Sequence, residues 1–329
     1  MLFERRTKIL DKNVIVFTTH KAGSMLLHRV LADICQKNNI TYYSPHQNAD
    51  KQFPLGRILE GEDFIAARNG CFGPLRCFVP SAALSSANII VHLRDPRDVL
   101  TSMFFSYCFI HPGEIGGNTG YRKEVAKAGI DKFVLDMSDE NFTRYTGDYG
   151  TGSIKYKQYV GNVHTRYIAY LREVIGKPNA VVISYEEMVL DFASWLRKLL
   201  AAFELADTDE TYRFVERRYA KTVKPTAENI WSHKRKVTPG DYKEKLRPET
   251  ISELNLRFSE VLDALGYSSS QYEMNQRSSR SRQIRRWIIS TKNRFSQPMV
   301  PIVRRITKVV FSNSPPSLRR LARAVWYSK

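Results

Sequence analysis

Lys21-Ala22-Gly23-Ser24 puts an ammonium, two small residues and a hydroxyl into one short turn, a combination suited to gripping an anion. The residues before it, Val14-Ile-Val-Phe-Thr18, read as a buried strand, and those after it show helical apolar spacing. A strand feeding such a turn into a helix aims the turn's N–H groups and the helix N-terminus at one point. The candidate contacts are Lys21, the amides of Ala22, Gly23 and Met25, and the Ser24 hydroxyl. Because the lysine precedes the glycine, this is not the GxxxxGK[ST] loop that holds a nucleoside triphosphate with Mg2+. A strand, a glycine turn and a helix in sequence also serve as plain scaffolding, so the turn alone does not decide.

A second segment repeats the arrangement. Asn88-Ile-Ile-Val-His-Leu93 reads as another short apolar strand, Arg94 stands at its carboxyl end, and Asp95-Pro96 opens a helix, with Pro96 tolerated in the first turn. Ser102 follows about two helical turns after Arg94, so a guanidinium fork and a hydroxyl could hold a second phosphate. Two anion sites on strands of one parallel sheet suggest a nucleotide phosphorylated at both ends.

On these residues the chain resembles the sulfotransferases that use 3′-phosphoadenosine 5′-phosphosulfate (PAPS). Lys21, Gly23 and Ser24 match the family's 5′-phosphosulfate loop, and Arg94, Pro96, Asp98 and Ser102 match its Arg-x-Pro-x-Asp…Ser motif for the 3′-phosphate. Val181-Val-Ile-Ser-Tyr185-Glu-Glu-Met188 is similar to the family's strand ending in Tyr-Glu-Asp-Met, whose tyrosine lies near the nucleotide. Arg235-Lys236 with Gly240-Asp241-Tyr242-Lys243 is similar to its late Arg-Lys-Gly…Gly-Asp-Trp-Lys loop, which closes over the 3′-phosphate. The family's aromatic residue after the first loop is Leu26 here, and Val237-Thr238-Pro239 interrupts the late motif.

The resemblance implies sulfuryl transfer from PAPS to a hydroxyl or amine of a saccharide, lipid or small molecule, with no obligatory metal and with Lys21 neutralising the bridging oxygen. It offers two places for a general base. The strand expected at 75–79 supplies only Arg76, whereas His46 lies just past the second strand, where ligands bind in open α/β sheets. Asp50, Glu62, His111 and His20 are substitutes, His20 being equally suited to shaping the loop. His92, inside a strand, reads as a buried, hydrogen-bonded residue.

These side chains need a scaffold, and the alternation of strands with helical stretches predicts an α/β fold with a mostly parallel central sheet flanked by helices. Strands are expected near 13–18, 40–44, 75–79, 88–93 and 180–184, and helices near 23–37, 96–108, 152–174, 186–204, 208–220 and 249–265. The glycine-rich stretch 111–150 reads as loops around short helices that shape a substrate cleft.

Composition divides the chain into a sulfotransferase domain over 1–268 and a basic, amphipathic helical extension over 269–329. Residues 270–329 carry 14 Lys/Arg against the single acid Glu273, a balance of +13 out of the chain's net +18. Its basic apolar blocks, broken by Pro298, Pro301, Pro315 and Pro316, suit an anionic membrane surface or a protein partner. Two other readings stay open: a P-loop-type nucleotide kinase, on likeness of fold and against the position of Lys21 before Gly23, and a polyanion or nucleic-acid binder, on charge alone. No nucleic-acid module is present and no specific nucleic acid is expected. Four cysteines without ligand-like spacing give no zinc or disulfide framework. With no signal peptide and no apolar run of the roughly 20 residues that cross a bilayer, a cytoplasmic protein, membrane-associated through its tail, is expected.

Overall fold

The computed structural model describes residues 10–44, 68–110, 119–139, 162–205, 210–224, 227–232 and 234–268. Its centre is a five-stranded, wholly parallel sheet in the order β2-β3-β1-β4-β5, formed by β1 (Val14–Thr18), β2 (Thr41–Tyr43), β3 (Gly70–Leu75), β4 (Asn88–Leu93) and β5 (Ala180–Ser184). All five carboxyl ends therefore share one edge, and β1 lies in the middle of it.

Both sheet faces are covered, so β1 is buried along its whole length and its side chains alternate between two cores. Val14 and Val16 join Leu27, Val30, Leu31 and Ile34 of α1 (Ser24–Asn38) on one side. There they meet Trp195, Leu196, Leu199 and Leu200 of a later helix, Phe192–Ala202, and Val215 of Glu210–Tyr219. Ile15 and Phe17 face the other core, which holds Val99, Leu100 and Met103 of α2 (Pro96–Phe105), and Phe133 and Val134 of the helix Ile130–Ser138. Tyr167 and Tyr170 of α5 (Val163–Glu173, after the helices α3, Thr119–Ala128, and α4, Ile130–Ser138) complete it.

Three expectations shift. The third strand runs over 70–75 rather than 75–79, hidden from a sequence reading by Gly70, Gly73 and Pro74. The helix expected at 186–204 is two, α6 (Tyr185–Leu190) and α7 (Phe192–Ala202), because the Asp191 side chain caps the second at the amide of Ser194. The stretch 249–265 likewise divides into Pro248–Arg257 and Ser259–Ala264. Residues 152–161 and the extension 269–329 lie outside the described residues.

Candidate active site

The turn after β1 is tightly wound. Lys21 and Gly23 both occupy the left-handed region, at φ 62° and 78°, and Gly23 is the residue that opens α1. A Cβ on Gly23 would stand 3.0 Å from Met188 Cε and 3.2 Å from Tyr185 Cδ2, so the turn runs against the start of α6 and only glycine fits both the φ and the space. Ala22 and Ser24 are buried within it, whereas Met25 is 51% exposed.

Arg94 stands at the end of the neighbouring strand β4 and reaches directly into that turn. Its Nη1 donates to the Lys21 carbonyl at 3.1 Å, its Nη2 pairs with Asp98 at 3.3 Å, and its guanidinium lies 4.3 Å from the centroid of the Tyr185 ring. The backbone beneath it is fixed by the Tyr167 hydroxyl, which donates to the Arg94 carbonyl. Beside it, Asp95 caps α2 and holds Arg97 through two hydrogen bonds, at 2.9 and 2.6 Å. Ser102 lies two turns along the same helix, half-buried.

The late loop is tied to this motif by a buried carboxylate. Asp98 accepts hydrogen bonds from the amides of Gly240, at 2.7 Å, and Tyr242, at 3.0 Å, while also pairing with Arg94. Arg235 is buried in that loop, its guanidinium 4.1 Å from the Phe105 ring centroid and its two Nη groups on Glu228 and Asp241. Lys236 bridges Asp241 and Glu244, at 3.0 and 2.6 Å.

Three strands thus deliver cations to one edge. Burial, reinforced by the guanidinium charges of Arg94, Arg76 and Arg235, lowers the Lys21 ammonium from its usual value to about 8. Burial is the larger cause of that drop and the neighbouring guanidinium groups add to it, so an anion bound there would offset the second part. The sequence reading places Arg76 inside a strand expected at 75–79, whereas β3 spans 70–75. With β3 ending at Leu75, Arg76 follows its strand as Arg94 follows β4. Arg166, buried in α5, carries no sequence signal of its own beyond sharing a helix face with Tyr170.

His20 does not offer an open lone pair to a substrate. Its Nε2 faces Arg76 Nη1 and its Nδ1 faces Arg166 Nη1, both at 3.1 Å, so it sits as a spacer between two guanidinium groups. His92 differs from expectation too. It is buried in β4 but neither ring nitrogen has a hydrogen-bond partner, and burial alone lowers it to about 3; it packs edge-on against Trp195. His46, Asp50, Glu62 and His111 lie outside the described residues. Glu186, given no role of its own within the Tyr185-Glu-Glu-Met188 match, is buried next to Arg94, accepting from the Asp95 amide and the Tyr267 hydroxyl, and burial pushes it up to about 7.

The profile of the sulfotransferase domain matches residues 11–266, which include every element named above. The chain belongs to the sulfotransferase family. The mouse sulfotransferase SULT7A1, solved in complex with PAP, shares the fold at a TM-score of 0.52 and 18% identity, over 82% of this chain and 88% of that one. Retinol dehydratase, solved with androsterone and the inactive cofactor PAP, is similar at 12% identity and a TM-score of 0.44 over 78% of this chain and 82% of its own. No curated protein matches the chain. Within this sulfotransferase, the first loop, the Arg94 motif, Tyr185 and the late loop meet at one edge of the sheet. No described helix is long and apolar enough to cross a membrane.

Proposed function

We propose that the chain transfers a sulfuryl group from PAPS to a hydroxyl or amine of an acceptor. The carrying observation is the direct bond from Arg94 to the Lys21 carbonyl, with Asp98 drawing the late loop onto the same arginine. In this reading Arg94, Ser102, Arg235 and Lys236 hold the 3′-phosphate. The amides of Ala22, Gly23 and Met25, the Ser24 hydroxyl and Lys21 hold the 5′-phosphosulfate at the head of α1, and Tyr185 lies against the nucleotide. The donor set fits: buried cations at one end, and at the other a glycine turn that opens α1 and, lacking a Cβ, packs against Met188 and Tyr185.

PAPS supplies an activated sulfur. The acceptor oxygen forms its bond to sulfur as the bond from sulfur to the 5′-phosphate oxygen breaks, the hydroxyl proton passes to a base, and adenosine 3′,5′-bisphosphate (PAP) leaves. Lys21 neutralises charge on the leaving oxygen, and Arg76, on the other side of Lys21, faces charge on the sulfuryl oxygens. His46 is assigned as the base. The acceptor is a saccharide, lipid or small molecule, the catalytic unit is residues 1–268, and the basic extension 269–329 meets an anionic membrane or a partner from the cytoplasmic side.

Calorimetric titration with PAP tests the assignment. The native protein is expected to bind in the micromolar range, and Arg94→Ala to weaken binding at least a hundredfold. Undetectable binding by the native protein, or equal binding by the variant, overturns it.

A further inference from the structure

The late loop presents more than its buried arginine. The amide of Asn229 donates to the Arg235 carbonyl at 2.9 Å, which closes residues 229–235 into a short excursion rooted on that arginine. Two local bonds stiffen it: the Trp231 amide donates to the Asn229 side chain at 3.1 Å, and the Lys234 amide to the Ser232 hydroxyl at 3.2 Å. What this set conformation turns outward is an indole. Trp231 is 70% exposed, although an indole is one of the largest apolar surfaces a chain can leave in water.

The ring belongs to an apolar cluster. It meets Phe109 edge-on, the centroids 5.5 Å apart, and Phe109 stacks on Phe105 at 6.1 Å. Both phenylalanines are half-buried, on α2 and on the turn Ser106–Ile110 that continues it. Ile110 and Ile230, next in sequence to these rings, are half-buried as well.

The charge of the same segment is one-sided. Residues 221–245 hold seven Lys/Arg against three acids, an excess of four, whereas residues 1–269 as a whole hold 37 against 32, an excess of five. Most of the positive surplus ahead of the basic extension thus lies around Trp231. The three acids pair within the loop, Glu228 with Arg235 and Lys245, Asp241 with Arg235 and Lys236, and Glu244 with Lys236. The net charge falls on Lys221, Lys224, Lys234 and Lys243, each exposed.

A tryptophan on a folded tip, flanked by lysines, matches one kind of surface. An indole settles at the boundary between headgroups and acyl chains, and flexible lysine stems let ammonium groups reach anionic headgroups beside it. A soluble polyanion would match the charges and leave the rings in water, and a neutral apolar partner would do the reverse. We infer that the tip of the late loop, through Trp231 and its neighbouring lysines, is a docking surface for an anionic lipid bilayer, separate from any contact made by residues 269–329. Membrane contact and the assigned 3′-phosphate contact then share one loop, but the docking itself does not depend on the nucleotide reading.

The test keeps the full chain and reads this loop alone. In Trp287→Phe/Trp326→Phe the tryptophans left are Trp231 and the buried Trp195. Emission is recorded with vesicles of phosphatidylcholine and with vesicles containing phosphatidylglycerol as well, both carrying brominated acyl chains. The anionic vesicles are expected to shift the emission to the blue and quench it, and the neutral ones to leave it unchanged. Adding Trp231→Phe should leave only an unresponsive Trp195 signal. Lys224→Gln/Lys234→Gln should weaken the vesicle affinity read from the quenching at least tenfold, at about fivefold per charge.

Sedimentation with anionic vesicles while Trp231 emission stays unchanged would place the contact elsewhere and overturn the proposal. So would the absence of binding, an equal response to neutral vesicles, or quenching that the lysine variant leaves intact. A Trp231 response to heparin with none to vesicles would overturn it in favour of a soluble polyanion. PAP affinity measured on the same samples reports on the nucleotide reading separately.

Discussion

Replacing Asp98 tests whether the late loop is held in place by the nucleotide motif. Its carboxylate takes two backbone N–H groups, at 2.7 and 3.0 Å, and one guanidinium, at 3.3 Å, in a fully buried position. In Asp98→Ala the amides of Gly240 and Tyr242 and the Arg94 charge lose that partner together. Removing one partner of a buried pair costs about 3–5 kcal/mol, and that range includes the stranded donors. Asp98→Asn keeps one acceptor oxygen and turns an amide NH2 towards the second backbone N–H. It should cost about 2 kcal/mol, or roughly thirtyfold in PAP affinity if the loss falls on the closed loop.

The assays are urea unfolding for both variants and PAP calorimetry for Asp98→Asn, alone and combined with Arg235→Gln. If Asp98 acts on nucleotide through the loop, its effect on affinity shrinks once Arg235 has been removed. Strict additivity of the two substitutions, or native PAP affinity in Asp98→Asn, would refute the linkage.

Lys21, which titrates near 8 without nucleotide, should make PAP binding pH-dependent: flat below about 7, then weaker by up to tenfold per unit above 8, a slope that Lys21→Met abolishes. The folding sign is the opposite. The folded value lies below the usual 10.5, so between 8 and 10.5 the unfolded chain binds more protons and this residue's contribution to stability rises with pH, which denaturation of native protein and Lys21→Met at pH 7.5 and 10 will show. Gly23→Ala should lose roughly 1–2 kcal/mol from its left-handed φ, with more from the contacts to Met188 and Tyr185; urea unfolding at native stability would count against that. Glu228→Gln should strengthen PAP binding by up to about fivefold. Glu228, kept ionised by Lys245 and Arg235, competes with phosphate for Arg235 in a part-exposed pair worth 0–1 kcal/mol; weaker binding would mean that it positions the arginine instead.

Much of the half assigned to the nucleotide was legible because its signals are local. Runs rich in β-branched residues mark β1, β4 and β5 within a residue of their positions, and Lys21 and Arg94 stand just past strand ends, where chemistry collects. What failed was non-local or disguised. Gly73 and Pro74 belong to neither a helical nor a strand pattern, yet β3 passes through them, paired with β1 and β2, and misplacing it put Arg76 inside a strand instead of just past its end. Arg166 reaches the site only because two tyrosines dock its helix, a tertiary contact 146 positions from His20 in sequence. The role of Asp98 was half visible: its motif could be read, but its hydrogen bonds run to amides 142 and 144 residues away.

The order β3-β1-β4 has an evolutionary corollary. Because the groups assigned to donor and acceptor descend from separate strands on opposite flanks of β1, descendants can diversify what they modify by altering the β3 flank while the β4 flank stays intact. Chimaeras that graft the β3 flank of one homologue onto the β4 flank of another should therefore inherit a new preference without relearning how to hold the shared donor.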